Sequence, residues 1–99
     1  RLTVIYLMDR IGESFTGTGA SVSDFGMWIE LKEVLAEGLV RLSSLTDDYY
    51  VYWPNDHKLV GQRTARMFTL GQSLKVRLIN VSLARQEIDL ELDEPEEPG

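Results

Sequence analysis

From Glu13 onward the chain is built of short runs of β-branched and aromatic residues, interrupted by glycines and Ser/Asp clusters. That rhythm sets the fold class, because residues of a strand alternate between its two faces. Five core runs can be placed, at residues 13–23, 25–32, 38–43, 73–82 and 86–92. In the second, Met27, Ile29 and Leu31 form the core set, which turns Gly26, Trp28 and Glu30 to the other side. In the third, Val40 and Leu42 point inward and Arg41 outward; in the fourth, Val76 and Leu78 face Lys75 and Arg77 across the strand. The fifth alternates Ile88, Leu90 and Leu92 with Asp89 and Glu91. One exterior therefore carries Trp28, Arg41, Lys75 and Arg77, unless barrel curvature separates them.

A chain of 99 residues is one small domain. Five short strands in so small a domain protect their edges best by closing on themselves. The expected fold is all-β, a five-stranded antiparallel Greek-key barrel of the OB type, with a hairpin-like insert between strands 3 and 4. In that architecture the face of strands 2 and 3 holds single strands of nucleic acid by stacking bases on aromatic rings while cations follow the phosphates. Trp28, Arg41 and Phe25, which sits just before the bend at Gly26, are the residue types that work requires. Before the barrel, Leu2, Ile5, Tyr6 and Asp9 recur at helical spacing and Gly12 is a stop signal, so residues 1–11 read as the end of a preceding unit. The barrel domain occupies residues 12–92, and residues 93–99 have charge and proline but nothing apolar to bury, so they are expected to be a disordered acidic tail.

Net charge is −6, which argues on average against a polyanionic partner, but the distribution is uneven. Residues 57–86 carry Lys58, Arg63, Arg66, Lys75, Arg77 and Arg85 with no acid, whereas residues 87–99 carry seven acids and no base. The basic stretch is either an anion-attracting surface or a solvated face balanced by its neighbours. Cysteine is absent, which removes disulfides, thiolate zinc sites and thiol nucleophiles and points to a reducing, cytoplasmic setting. His57, the lone imidazole, follows Asp56 and reads as a surface residue of the insert. Serine catalysis and metal hydrolysis lack their partners, so no catalytic residue is assigned. No apolar run approaches the roughly 20 residues of a membrane helix, and the opening Arg1-Leu2-Thr3 suggests a piece of something longer.

Four segments in order, Phe15-Thr16-Gly17, Val22 through Ile29, Glu37-Gly38-Leu39-Val40-Arg41-Leu42-Ser43 and Leu70 through Val76, resemble the S1 RNA-binding domain. The pattern of that family runs F-x-G, V-x-x-F-G-x-F-V, E-G-L-V-H-x-S and x-x-G-D-x-V-x-V. The long insert from Asp48 to Phe68 looks like the one typical of ribonuclease R-type 3′→5′ exoribonucleases of the RNB family. The segment from Leu7 to Glu13 resembles the join between their catalytic domain and this C-terminal module.

The resemblance implies an RNA face of two aromatics on strand 2, matched by Phe25 and Trp28, and a strand-3 histidine whose place Arg41 takes. An arginine there exchanges a titratable ring for a permanent planar cation. Ala84 stands at the expected aspartate and Glu87 near the expected arginine, so that corner departs from the pattern. Gly19 replaces a usual apolar residue and marks a weak point or a bulge. Lys75 and Arg77 are expected to hold phosphates, and Lys58, Arg63 and Arg66 to guide the strand. The implied partners are single-stranded RNA and the catalytic and cold-shock-type domains of the same chain. No cofactor is implied for this module, magnesium belonging to the catalytic domain. The aromatic cluster Tyr49, Tyr50, Tyr52 and Trp53 is expected to pack within the insert rather than against bases. A rival expectation is a protein- or domain-docking module that uses the basic insert.

Overall fold

The computed structural model describes residues 2–94. A short helix α1 (Leu2–Met8) precedes strands β1 (Ser14–Ser23), β2 (Gly26–Leu31) and β3 (Glu37–Arg41). The insert supplies β4 (Tyr50–Trp53), β5 (Lys58–Gly61) and β6 (Met67–Thr69), and β7 (Ser73–Ser82) and β8 (Glu87–Leu92) complete the barrel. The five runs read from the sequence are β1, β2, β3, β7 and β8. They close in the order β1-β2-β3-β8-β7.

The barrel differs from the expected all-antiparallel ring at one seam. A closed ring of five strands cannot alternate direction all the way round, because an odd number leaves two neighbours pointing the same way. Here β3 and β8 are those neighbours, paired in parallel with Leu39 opposite Asp89 and Val40 opposite Leu90. The other four pairings are antiparallel. Inside lie Phe15, Met27, Ile29, Leu31, Val40, Val76, Leu78, Ile88 and Leu90, all buried. Leu42 departs from its expected inward strand position because β3 ends at Arg41 and a 3-10 turn, Leu42–Ser44, takes over, leaving Leu42 half-buried. Leu39 is an apolar surprise on the outer face, 5% exposed and directly opposite Trp28.

The insert is a three-stranded antiparallel sheet rather than one hairpin. Tyr50, Leu59 and Phe68 join the barrel's own core, with the Tyr50 and Phe68 rings 5.3 Å apart and tilted, so the insert stoppers one end of the barrel. Gly19 is where it crosses β1. A Cβ at position 19 would lie 2.7 Å from the Thr69 carbonyl oxygen, while the Gly19 amide donates to Gln72 and its carbonyl accepts from Gly71. The register of β1 shifts between Gly19 and Ser21, so the bulge expected there is present.

Helix α1 packs on β7, and its Val4 and Leu7 are buried. Arg10 fastens this end: its guanidinium bonds Glu13 and Glu33, donates to the Tyr6 hydroxyl and lies 4.6 Å from the centre of the Phe15 ring. Those bonds raise its pKa further above the ordinary arginine value, the Glu33 bond most of all. Of the tail expected to be disordered, residues 95–99 lie outside the described residues, while Asp93 and Glu94 are both ion-paired. Among the described residues no helix is long and apolar enough to cross a membrane.

Gly26 sets how closely β2 approaches β3. An added Cβ would sit 2.3 Å from the Val40 carbonyl oxygen, a clash with backbone that no side-chain rotation relieves. Gly26→Ala is expected to destabilise the domain by about 2 kcal/mol or more, read as a lower midpoint in urea unfolding; an unchanged midpoint would show that the two strands part easily.

Candidate functional site

The turn joining β1 to β2 carries Phe25, which is 51% exposed, and its carbonyl accepts from the Leu42 amide at 2.8 Å. That bond ties the turn to the end of β3. Arg41, the last residue of β3, is opposite Gly26, and Trp28 is opposite Leu39. Arg41 and Trp28 are therefore diagonal neighbours on the outer face, a separation of about 7–8 Å in such pairs. Trp28 is half-buried and Arg41 exposed, as the strand alternation requires.

Two grooves flank Arg41. The larger, about 490 Å³, runs from Phe25 over Arg41 and Leu45 to Asp48, Tyr49 and Tyr50 of the insert. The smaller, about 270 Å³, lies over the parallel seam and is lined by Leu39, Ser43, Ile79, Asp89 and Glu91 together with Arg41. Tyr49 is the residue that sequence reasoning missed. Tyr50 is buried and Tyr52 half-buried, as expected for rings that pack, whereas Trp53 is 43% exposed and Tyr49 is 74% exposed and faces the Phe25 groove. Strand alternation does not fix the facing of Tyr49, because β4 begins at Tyr50 and Tyr49 lies just before it.

The remaining cations are not gathered at this site. Lys75 is opposite Thr16 on β1, and Trp28 is opposite Ser21. Five residues of strand span about 16 Å, so curvature and length carry Lys75 away from the ring. Arg77 is held by Glu91 at 3.0 Å and Asp93 at 3.3 Å. In the insert, Arg66 pairs with Asp47 at 3.1 Å and with Glu94 and covers the Phe68 ring, Arg63 donates to the Asp47 carbonyl, and Lys58 stands 4.9 Å over Trp53. The bond to Glu94 is the main cause that raises the Arg66 pKa above its ordinary value. Arg85 pairs with Glu87 at 3.1 Å, which occupies the corner where the family pattern was broken. Balance by neighbours thus describes Arg66, Arg77 and Arg85, while Lys75 has no ion pair among the described residues.

The insert wall of the large groove depends on Asp48. Its carboxylate accepts from the amides of Tyr49, Arg63 and Thr64 and from the Thr64 hydroxyl. Desolvation opposes ionisation there, but the four donors together hold the carboxyl well below its ordinary value. Nearby, burial and then the bond to Asp47 push the Tyr50 phenol up to about 12, keeping it a donor to that carboxylate. Among the described residues no group of three or more His, Asp or Glu side chains is placed to hold a metal ion.

Comparison with known proteins adds the family context. The family described as S1 RNA binding domain matches residues 8–93. Ribonuclease R of Aquifex aeolicus is 47% identical over 89 residues, which is 90% of this chain and 13% of that protein. Ribonuclease R of Vibrio cholerae is 39% identical over 89 residues, 90% of this chain and 11% of that protein. The chain thus spans 11–13% of the length of these two relatives. Among solved structures, Mycoplasma genitalium RNase R in complex with ribose methylated single-stranded RNA superposes with a TM-score of 0.88 at 24% identity, covering 93% of this chain and 14% of that one, a likeness of fold.

The Asp48 carboxyl has a folded pKa below its ordinary 3.8, so the unfolded chain binds more protons between the two values. Its contribution to stability is complete above that ordinary value and is lost as pH falls toward the folded one. Thermal melts between pH 6 and pH 2 are expected to show a fall in Tm that is shallower in Asp48→Asn, which also starts from a lower Tm at pH 6; parallel curves for the two proteins would remove Asp48 from this role.

Proposed function

The chain belongs to the S1 RNA-binding domain family, and from that premise we propose that it captures single-stranded RNA with little sequence preference. The observation that carries the reading is the shared groove: an exposed ring at Phe25 and the Arg41 guanidinium line one channel, with Trp28 diagonal to Arg41 on the same outer face. Phe25 and Trp28 stack on bases, and Arg41 takes the phosphate between them. Rings supply affinity for any base because every base offers a π-face.

The other cations contribute at a distance. Lys75, Lys58 and Arg63 act through the field around the barrel rather than as direct phosphate ligands, while Arg66 and Arg77, already held by carboxylates, add little. The same internal pairing favours RNA capture over docking of the insert to an acidic protein. In a longer cytoplasmic chain of the ribonuclease R kind, the module hands its strand to a catalytic domain, where magnesium and the hydrolytic residues reside. The module itself performs no hydrolysis and needs no cofactor for capture.

Fluorescence anisotropy with a labelled oligouridylate tests this. Trp28→Ala and Phe25→Ala are each expected to weaken binding about tenfold, within the roughly 1–3 kcal/mol of a base–ring stack. Arg41→Ala should flatten the slope of log K against log salt by about 0.7, the value for one phosphate of a single strand. Lys58→Ala should change little, EDTA nothing, and the oligonucleotide should be recovered at full length. Wild-type affinity in Trp28→Ala and Phe25→Ala together would sink the reading.

A further inference from the structure

We infer that the RNA path continues from the barrel wall onto the insert, where Tyr49 is a third base-stacking ring. The inference rests on the RNA-capture reading above and lengthens its site by one base position, beyond the face of β2 and β3. Tyr49 faces the same groove as Phe25 and Arg41 and is the more exposed of the two rings, 74% against 51%. So exposed a ring contributes little to the interior. Its neighbour Tyr50 fills the barrel end instead.

The backbone beneath Tyr49 is fixed on both sides. Its amide donates to Asp48 Oδ1 at 2.7 Å, and its carbonyl accepts from the Gln62 amide at 2.9 Å. The Asp48 carboxylate also takes the amides of Arg63 and Thr64 and the Thr64 hydroxyl, which ties residue 49 to the turn after β5. Gly61 leaves room for that carboxylate, since a Cβ there would lie 2.5 Å from Asp48 Oδ2. Phe25 is held in a like manner, its carbonyl accepting from the Leu42 amide. Two rings with anchored backbones and exposed side chains thus face one channel, and little ordering remains when a base arrives.

The lining selects the occupant. Leu45 is buried and Leu42 half-buried, so the floor is apolar. Arg41 is the cation of the lining and Asp48 its acid, but both Asp48 oxygens are engaged by donors of the insert itself. A flat group with apolar faces and an anion attached suits rings, floor and guanidinium together, and a nucleotide is such a group. The volume of about 490 Å³ falls within the roughly 300–1,000 Å³ of small-ligand sites. Trp28 is diagonal to Arg41 and outside this groove. A strand stacked on Trp28 therefore passes a phosphate over the guanidinium and lays its next bases against Phe25 and Tyr49.

A heptauridylate carrying 5-iodouridine, which on irradiation joins covalently to an aromatic ring it rests against, locates the path without any variant. Adducts mapped by mass spectrometry are expected at Tyr49 as well as at Phe25 or Trp28. Adducts at Phe25 or Trp28 with none at Tyr49 would overturn the extension and leave general capture standing. In anisotropy, Tyr49→Ala is expected to bind heptauridylate at least about fivefold more weakly, the low end for one base–ring stack, and Tyr49→Phe to lose less than about twofold because the π-face is kept. Unmutated affinity in Tyr49→Ala would overturn the role. Tyr49 carries no charge, so its removal should leave the slope of log K against log salt unchanged; a flattened slope would assign the loss to a disturbed Arg41 and count against the ring. Trp53→Ala, which removes an exposed ring of the insert outside the groove, should bind as the unmutated chain does, and an equal loss there would also overturn the role. Failure of the unmutated chain to bind heptauridylate would overturn capture and its extension together.

Discussion

Five is an odd number, and the features that matter in this barrel follow from closing a ring with it. One seam has to join strands of the same sense, and slanted parallel pairing is less stable per residue than antiparallel pairing. The seam falls between β3 and β8, where two residue pairs carry it. Both strands owe their positions to their other neighbours: β3 is aligned by five pairs with β2, and β8 by six with β7. The bulge in β7 lets its register fit β8 on both sides of the irregularity. What the closure leaves on the outside is a shallow trough with Arg41 at its lip.

Much of this was legible in the residue pattern, and what was lost follows a rule. Alternation is a local property, so Met27, Ile29, Leu31, Val76 and Leu78 could be assigned to the interior and Trp28 and Arg41 to the exterior without knowing any partner strand. The facing of a residue does not reveal its company. Lys75 and Trp28 both point outward, yet they occupy different sectors of a curved wall, and only the register of β1 with its two neighbours shows it. Ion pairs are equally invisible to spacing: Arg66 meets Glu94 across 28 positions of sequence and Arg77 meets Asp93 across 16. Tyr49 was hidden for a different reason, since it precedes β4 and belongs to the loop that the Asp48 carboxylate fastens.

The charge balance takes on a different meaning once those pairs are known. A chain with a net charge of −6 is a poor trap for a polyanion on average, and pairing most of the central arginines with nearby carboxylates makes it poorer still. Arg41 is the exception at the site, with only a loose contact to Asp89. Weak general attraction and one cation at the site fit the capture proposed above, in which ring stacking supplies most of the affinity.

Arg10 has a mechanical consequence. It touches helix α1 through Tyr6, the entry to β1 through Glu13, and the loop after β2 through Glu33, while its face rests on Phe15. A single guanidinium thereby acts as a strut across three segments, and Leu7 of the same helix is fully buried. The helix has no swivel at its junction with the barrel. Turning its axis would break three bonds and disturb the buried Leu7, so helix and barrel are held as one rigid body.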